Sequence, residues 1–375
     1  MRTVATWLAS LSVLAASATT AAGADVDVVV SIKPIHSLVA GVMKGVGTPT
    51  LIVDGAASPH SYALKPSQAT ALQNADVVFW MGHNLETFLE KSLEGLASKA
   101  RVIELIDAKS LTKLEMREGS SFEAHAHHEG DDHDDHDDGA KEAKHDDHDH
   151  SAKEAKHDDH GHGAKKTKHD DHDHSAKEAK HDDDDHGAKK TKHAGHEGHG
   201  HDETDVHVWL DPLNAVALVG EIEAALSKAD APNAATYKKN ADALVAQLKS
   251  LVTEVSKTLK PVQGKGYIVF HDAYQYFEKR FGVTATGSVT VSPEVMPSAK
   301  RIKELRAKVK RLDVACVFSE PQFEPKLVKT VAEGTSAKTA VLDLLGASID
   351  NGPDLYFTLI RNMANSLRTC LSKAS

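Results

Sequence analysis

Apolar positions in this chain follow two rhythms, and one long stretch has neither. Short, nearly unbroken apolar runs occur at Val26–Ile32, Thr50–Val53, Asp76–Trp80, Arg101–Ile106, Tyr267–Phe270, Val283–Thr286, Val314–Phe318 and Thr339–Leu342. Runs of that length read as strands buried on both faces. Helical patterns lie between them: Pro34 to Gly45, Gln68 to Asn74 with Ser67 as N-cap, Leu85 to Leu96, Tyr274 to Arg280, Ser298 to Arg311, Pro325 to Glu333 and Pro353 to Leu371. Asp211-Pro212 is an N-cap and N1 pair for a helix reaching Lys228. The most periodic stretch places Tyr237, Ala241, Leu244, Val245, Leu248, Leu251, Val252, Val255 and Leu259 on one face of a helix from Asn233 to Lys260. Such a helix is about 40 Å long, which suits a rigid strut better than a hinge. Strands alternating with helices predict βαβ units and mainly parallel sheets. The expectation is an α/β protein: an N-terminal half over 25–230, the helix over 231–260, and a C-terminal half over 261–375.

The stretch without rhythm runs from Glu123 to Asp205. It holds 20 of the chain's 25 histidines and no Phe, Tyr, Trp, Leu, Ile, Met or Val. A 12-residue unit starts at Gly139 and recurs at Ser151, Gly163, Ser175 and, degraded, Gly187. With nothing apolar to bury, it is predicted to stay disordered. The stretch carries 27 acidic residues and 12 lysines, a net of −15 against −11 for the whole chain. The acidity therefore belongs to the insert, and the rest of the chain is slightly basic. An acidic arm on a body without a basic stripe argues against a nucleic-acid partner. Histidine-rich tracts are weak, multi-site metal binders. The candidates here are His145, His148, His150, His157, His160, His162, His169, His172, His174, His196, His199 and His201; the alternative is a solvated acidic spacer.

The N-terminus reads as a secretory signal over 1–24. Met1-Arg2 precedes a small, apolar run to Ala18, and Ala22-Gly23-Ala24 forms a small-x-small cleavage site. No later apolar run is long enough to span a membrane, and no cysteine lies near the cleavage site to take a lipid. The expectation is a periplasmic, monomeric protein of a Gram-negative bacterium, with no membrane insertion of the mature chain. The two cysteines, Cys316 and Cys370, point in an exported protein to a disulfide. A metal-ligand pair is the alternative, but it lacks C-x-x-C spacing.

Five histidines lie outside the insert: His36, His60, His83, His207 and His271. His60 falls in the turn after the second strand, His207 just after the insert, and His271 at the end of the strand Tyr267–Phe270. Ligands bind open α/β sheets at such strand ends. Three imidazoles converging there would form a zinc site with an open or water-filled fourth position. His36 and His83 read as packing or capping residues. Asp272 and Glu320 are expected to orient ligand imidazoles from behind, although a helix cap and a surface acid are the plainer readings.

Ser58-Pro-His60-Ser-Tyr-Ala-Leu-Lys-Pro-Ser67, His207-Val-Trp-Leu-Asp-Pro212, Phe270-His-Asp-Ala-Tyr274 and Phe318-Ser-Glu-Pro-Gln-Phe323 resemble the cluster A-I metal-binding proteins of ABC importers, most closely the zinc-uptake members. The resemblance covers essentially all of the chain after the signal. It implies two α/β lobes joined by a long backbone helix, with metal in the cleft between them. It also implies His60, His207 and His271 as ligands, a Cys316–Cys370 disulfide and a histidine-rich loop. Some zinc members carry Glu just before the first ligand, where this chain has Pro59. Manganese relatives use a carboxylate near Asp343 and a Glu where this chain has His271. The fourth position is thus left to water or Asp343, and the nitrogen donors favour zinc over manganese.

The leading expectation is a binding protein that captures Zn²⁺ and hands it to an inner-membrane ABC permease, the insert serving as a weak accessory collector. The alternatives are a manganese-binding member of the family, a zinc hydrolase and a periplasmic zinc buffer. Three histidines and a water suffice for hydrolysis, but the chain has no H-E-x-x-H, and Glu320 or Asp272 would have to act as base. His201 lies at most about 20 Å along the chain from His207. An arm of roughly 80 residues spans about 50 Å, so its imidazoles would sweep the cleft mouth.

Overall fold

Two parallel sheets of the same strand order organise the protein. In the first, β1 (Val28–Ile32), β2 (Thr50–Val53), β3 (Val77–Trp80) and β4 (Arg101–Glu104) are arranged β2-β1-β3-β4. In the second, β5 (Tyr267–His271), β6 (Ala285–Thr290), β7 (Cys316–Ser319) and β8 (Lys338–Val341) are arranged β6-β5-β7-β8. This computed structural model describes residues 26–117, 122, 204–290 and 292–372. The expected signal segment and the histidine-rich repeats, with all their candidate metal-binding histidines, lie outside the described residues.

Helices α1 (Lys33–Val42), α2 (Pro66–Asn74) and α3 (Glu90–Leu96) flank the first sheet in sequence, followed after the insert by α4 (Pro212–Ala229). Helix α5 (Ala234–Leu259) then leads to the second sheet, which alternates with α6 (Gln275–Phe281), α7 (Ala299–Arg311), α8 (Lys326–Ala332) and α9 (Leu355–Leu371). The 26 residues of α5 span about 39 Å. Tyr237, Ala241, Leu244, Leu248, Leu251, Val255 and Leu259 form its buried stripe, at the three- and four-residue spacing that puts side chains on one face. Val245 and Val252 flank that stripe and are half-buried.

A single apolar core contains residues of both sheets and of α5, from Val28 and Phe79 through Leu248 to Tyr267 and Phe318. A smaller one, around Ile268, Phe270, Leu305, Val317 and Val328, lies under α7 and α8. Long-range polar ties cross the larger core. The Trp209 indole donates to Leu344 O at 3.1 Å, the Tyr356 hydroxyl to Trp209 O at 2.6 Å, and buried Lys33 to Ile349 O at 2.8 Å. Buried donors and acceptors need such partners, and these fix the two sheets relative to each other. Cys316 of β7 and Cys370 of α9 form a disulfide with a Cα–Cα distance of 6.2 Å across a separation of 54 residues. Closing a loop of that length stabilises the fold by roughly 4 kcal/mol on the loop-entropy model.

Several element ends differ from the expectation. The N-cap of α2 is Lys65 rather than Ser67, because Pro66 takes N1 and the Gln68 side chain accepts the Lys65 N–H at 2.9 Å. The expected helix from Leu85 begins only at Glu90. Before it, the Glu86 carboxylate turns inward and accepts the N–H groups of Met81 and Gly82 at 3.2 and 3.0 Å, holding the chain in turns. Strand β4 stops at Glu104, and Leu105–Asp107 form a 3₁₀ turn. Strand β6 runs on to Thr290, beyond the predicted Thr286, because it pairs with β5 as far as His271.

Candidate metal centre

The strand order places the switch point of the second sheet at β5, which has β6 on one side and β7 on the other. Tyr267 pairs with Cys316 and Ile268 with Val317; continuing that register puts His271 beside Glu320 at the carboxyl ends of both strands. There the two Glu320 oxygens each lie 2.8 Å from His271 Nδ1, and the Tyr274 hydroxyl donates to Glu320 Oε1 at 3.0 Å. With Nδ1–H donating to the carboxylate, the Nε2 lone pair is free to bind a metal.

His207 is held the same way by a residue two positions earlier. Asp205 Oδ1 lies 2.7 Å from His207 Nδ1 and accepts the His207 backbone N–H at 3.0 Å. Gln275 donates to the other oxygen of Asp205 at 3.2 Å, and the Tyr276 hydroxyl to its backbone carbonyl at 2.7 Å. After His207 the chain forms the 3₁₀ turn Val208–Leu210, and Asp211 caps α4 by accepting the Leu213 N–H at 2.8 Å. His60 sits on a third support, the 3₁₀ turn Pro59–Ser61, where Ser58 Oγ accepts its N–H at 3.3 Å. Among the described residues no carboxylate is hydrogen-bonded to its ring.

The three rings converge. Their centroids are 5.7 Å (His60–His207), 5.9 Å (His60–His271) and 5.3 Å (His207–His271) apart. One nitrogen from each lies within 4.8 Å of the others, the one such group of three or more His, Cys, Asp or Glu among the described residues. Nitrogens bound to one zinc at about 2.0–2.1 Å lie about 3.4 Å apart, so small side-chain rotations would close the set. The Nε2 atoms of His207 and His271 are buried without a hydrogen-bond partner. An orphaned pair of buried polar atoms is costly, and a cation at the convergence point removes that cost. The residues therefore fit a zinc ion.

Electrostatics separate the three. Burial, reinforced by His207 and His271, lowers the His60 pKa to about 2, so this ring is neutral at any ordinary pH. Burial is the largest influence and opposes charge on His271, but Glu320, Asp272 and Asp205 together outweigh it and the pKa is raised. A cavity of about 290 Å³ opens over the histidines, lined also by Leu85, Met116, Asp205 and Asp272. Leu85, Trp209, Phe323, Leu344 and Leu345 wall the other side.

Asp272 does not orient an imidazole. Both its oxygens accept from Arg117 Nε at 3.0 Å, and Arg117 also binds Glu278 at 3.0 Å. A buried carboxylate takes the nearest fixed cation, and His271 Nδ1 already faces Glu320. Asp343 is likewise engaged elsewhere: it accepts the N–H groups of Leu345, Gly346 and Ala347 at 3.1, 2.8 and 2.7 Å. This turn has Gly346 at φ 73°, a conformation that favours glycine. The buried His36 hydrogen-bonds through Nε2 with Pro49 O at 3.0 Å, and His83 pairs with Glu104 at 3.2 Å. The sequence reading missed Asp205 and Arg117, the two root residues of the insert. The Asp-x-His spacing before His207 was the available signal for the first.

A family model described as ZnuA: Zinc-uptake complex component A periplasmic matches residues 28–370. The High-affinity zinc uptake system protein ZnuA of Brucella suis biovar 1 is 52% identical over 352 residues, 94% of this chain and 93% of that protein. The protein of the same name from Yersinia pestis is 33% identical over 349 residues, 93% of this chain and 92% of its own. A crystal structure of ZnuA superposes with a TM-score of 0.64 at 20% identity, covering 93% of this chain and all of that one. It shares the fold.

Proposed function

The chain belongs to the zinc-uptake complex component A family, and on that premise we propose that it captures Zn²⁺ in the periplasm and delivers it to an inner-membrane ABC permease. His60, His207 and His271 supply three nitrogen donors, and a water completes the tetrahedron. Asp205 and Glu320 hold two of the rings in the tautomer that leaves Nε2 free. One observation carries the reading: two buried Nε2 atoms without partners, aimed with His60 at one point. Zinc is the cargo, held at the mouth of a cavity through which it can leave. The histidine-rich insert serves as a weak accessory collector that raises local supply without setting the affinity of the centre, and the protein works as a monomer.

The donor set supports zinc over manganese, since Asp343 and Asp272 are both engaged elsewhere and manganese sites want more oxygen. A hydrolase would need a free base beside a metal-bound water. Glu320 is bound by His271 and Tyr274, and Asp272 by Arg117.

Zinc titration calorimetry on a 125–201 deletion, alone and with His60→Ala, His207→Ala or His271→Ala, tests the proposal. One tight site that survives the deletion and collapses in each point variant is the expected result. Tight binding that disappears with 125–201 and ignores the three histidines would replace transport with buffering by the insert.

A further inference from the structure

The Arg117 guanidinium reaches across to the end of β5 and to α6. Nε donates to both oxygens of Asp272 at 3.0 Å, and Nη2 also reaches Asp272 Oδ1. Nη1 donates to Glu278 Oε2 at 3.0 Å and Nη2 to Oε1 at 3.3 Å. The Phe122 ring packs 3.7 Å from Cζ. The Asp272 and Glu278 side chains are only 6% and 5% exposed, so one cation is shared by two buried carboxylates. Removing it alone would strand both.

Asp272 directly follows His271 and lines the same cavity as the three histidines. It is thus a carboxylate beside a nitrogen-only cluster, with both oxygens already taken. A divalent cation in the cavity and the guanidinium compete for those oxygens. A planar fork that binds a carboxylate at both oxygens resists such competition better than a point charge. Manganese gains more than zinc from an added oxygen donor, because imidazole alone serves zinc well and manganese poorly.

We propose that Arg117 is a metal-specificity residue: by holding both oxygens of Asp272 it keeps the centre nitrogen-only and so favours zinc over manganese. The inference rests on the reading of His60, His207 and His271 as the ligands.

The test uses the full chain with Arg117→Met combined with Glu278→Gln, the second change removing the carboxylate that would otherwise be stranded. Zn²⁺ and Mn²⁺ dissociation constants are measured by competition titration, with thermal melting followed by circular dichroism as the check on folding. The expected result is at least a tenfold loss of zinc-over-manganese preference through a gain in manganese affinity, abolished by adding Asp272→Asn. Arg117→Lys, which keeps the charge but lacks the fork that holds both oxygens, should shift the preference the same way and carries the test if the double variant melts early. Two metals weakening in step with unchanged preference would overturn the proposal, as would a shift that persists with Asp272→Asn. Zinc binding by the unaltered chain that ignores the three histidines would defeat the ligand assignment, and this inference with it. Binding that depends on them while the preference stays fixed defeats the role of Arg117 alone.

Discussion

The two sheets share one strand order yet supply the candidate metal centre by different means. The second sheet offers His271 from the end of a central strand, in register with the carboxylate that orients it. The first offers His60 from a 3₁₀ turn beyond its edge strand β2, anchored by one backbone hydrogen bond to Ser58. His207 stands between these extremes, on a turn but backed by Asp205. A ligand at a strand end inherits the rigidity of the sheet. One on a turn moves at lower cost.

Removing the proposed ligands breaks this comparison most strongly. His271→Ala should lower zinc affinity the most in titration calorimetry, because it removes a donor and takes from the buried Glu320 its closest partner, leaving the Tyr274 hydroxyl and the backbone N–H of residue 271. His60→Ala should cost less, since it strands nothing. Equal losses would mean that the support behind a ligand is irrelevant. The carboxylates come next. Glu320→Gln and Asp205→Asn should each weaken zinc binding by about 10- to 100-fold, the usual cost of losing the partner of a ligand imidazole.

Acid sharpens the contrast in the metal-free protein. His60 has a folded pKa of about 2, below the unfolded value near 6.5. The unfolded chain therefore takes up a proton that the folded chain refuses, and stability falls as pH drops below about 6.5. His271 has a raised folded pKa, so its contribution is fully present below about 6.5 and is lost as pH rises through the folded value. Metal-free His60→Ala should be relatively more acid-tolerant than the unaltered chain, and His271→Ala less so, in denaturant melts from pH 7.5 to 5. Matching slopes would contradict the assigned environments. The smallest effect is expected at the turn: Ser58→Ala removes one cap, worth about 1 kcal/mol, and should weaken zinc binding less than tenfold.

Much of this architecture was legible in the residues. The period of α5 read directly as a helix, because a buried stripe with three- and four-residue spacing has no other solution. The short apolar runs of β1, β3, β5 and β7 read as parallel strands because both faces of the sheets are covered there, whereas the edge strands β4 and β8 are largely exposed. Boundaries failed where a side chain competed with the backbone: Gln68 moved the start of α2 to Pro66, and Glu86 delayed α3 to Glu90. The chain's own motifs also singled out the three histidines that the structure brings together, since each flanks a strand end or a turn.

Local sequence determined the strands, the long helix and the placement of nitrogen donors at loop starts, because periodicity and turn chemistry act over a few residues. Only the tertiary structure decided which acid serves which histidine. Glu320 reaches His271 through the register of β5 and β7, 49 residues apart. Asp272, next to His271 in sequence, is claimed by Arg117 from 155 positions away. A buried charge is settled by whichever partner packing brings within reach, and that distance is set by the whole fold.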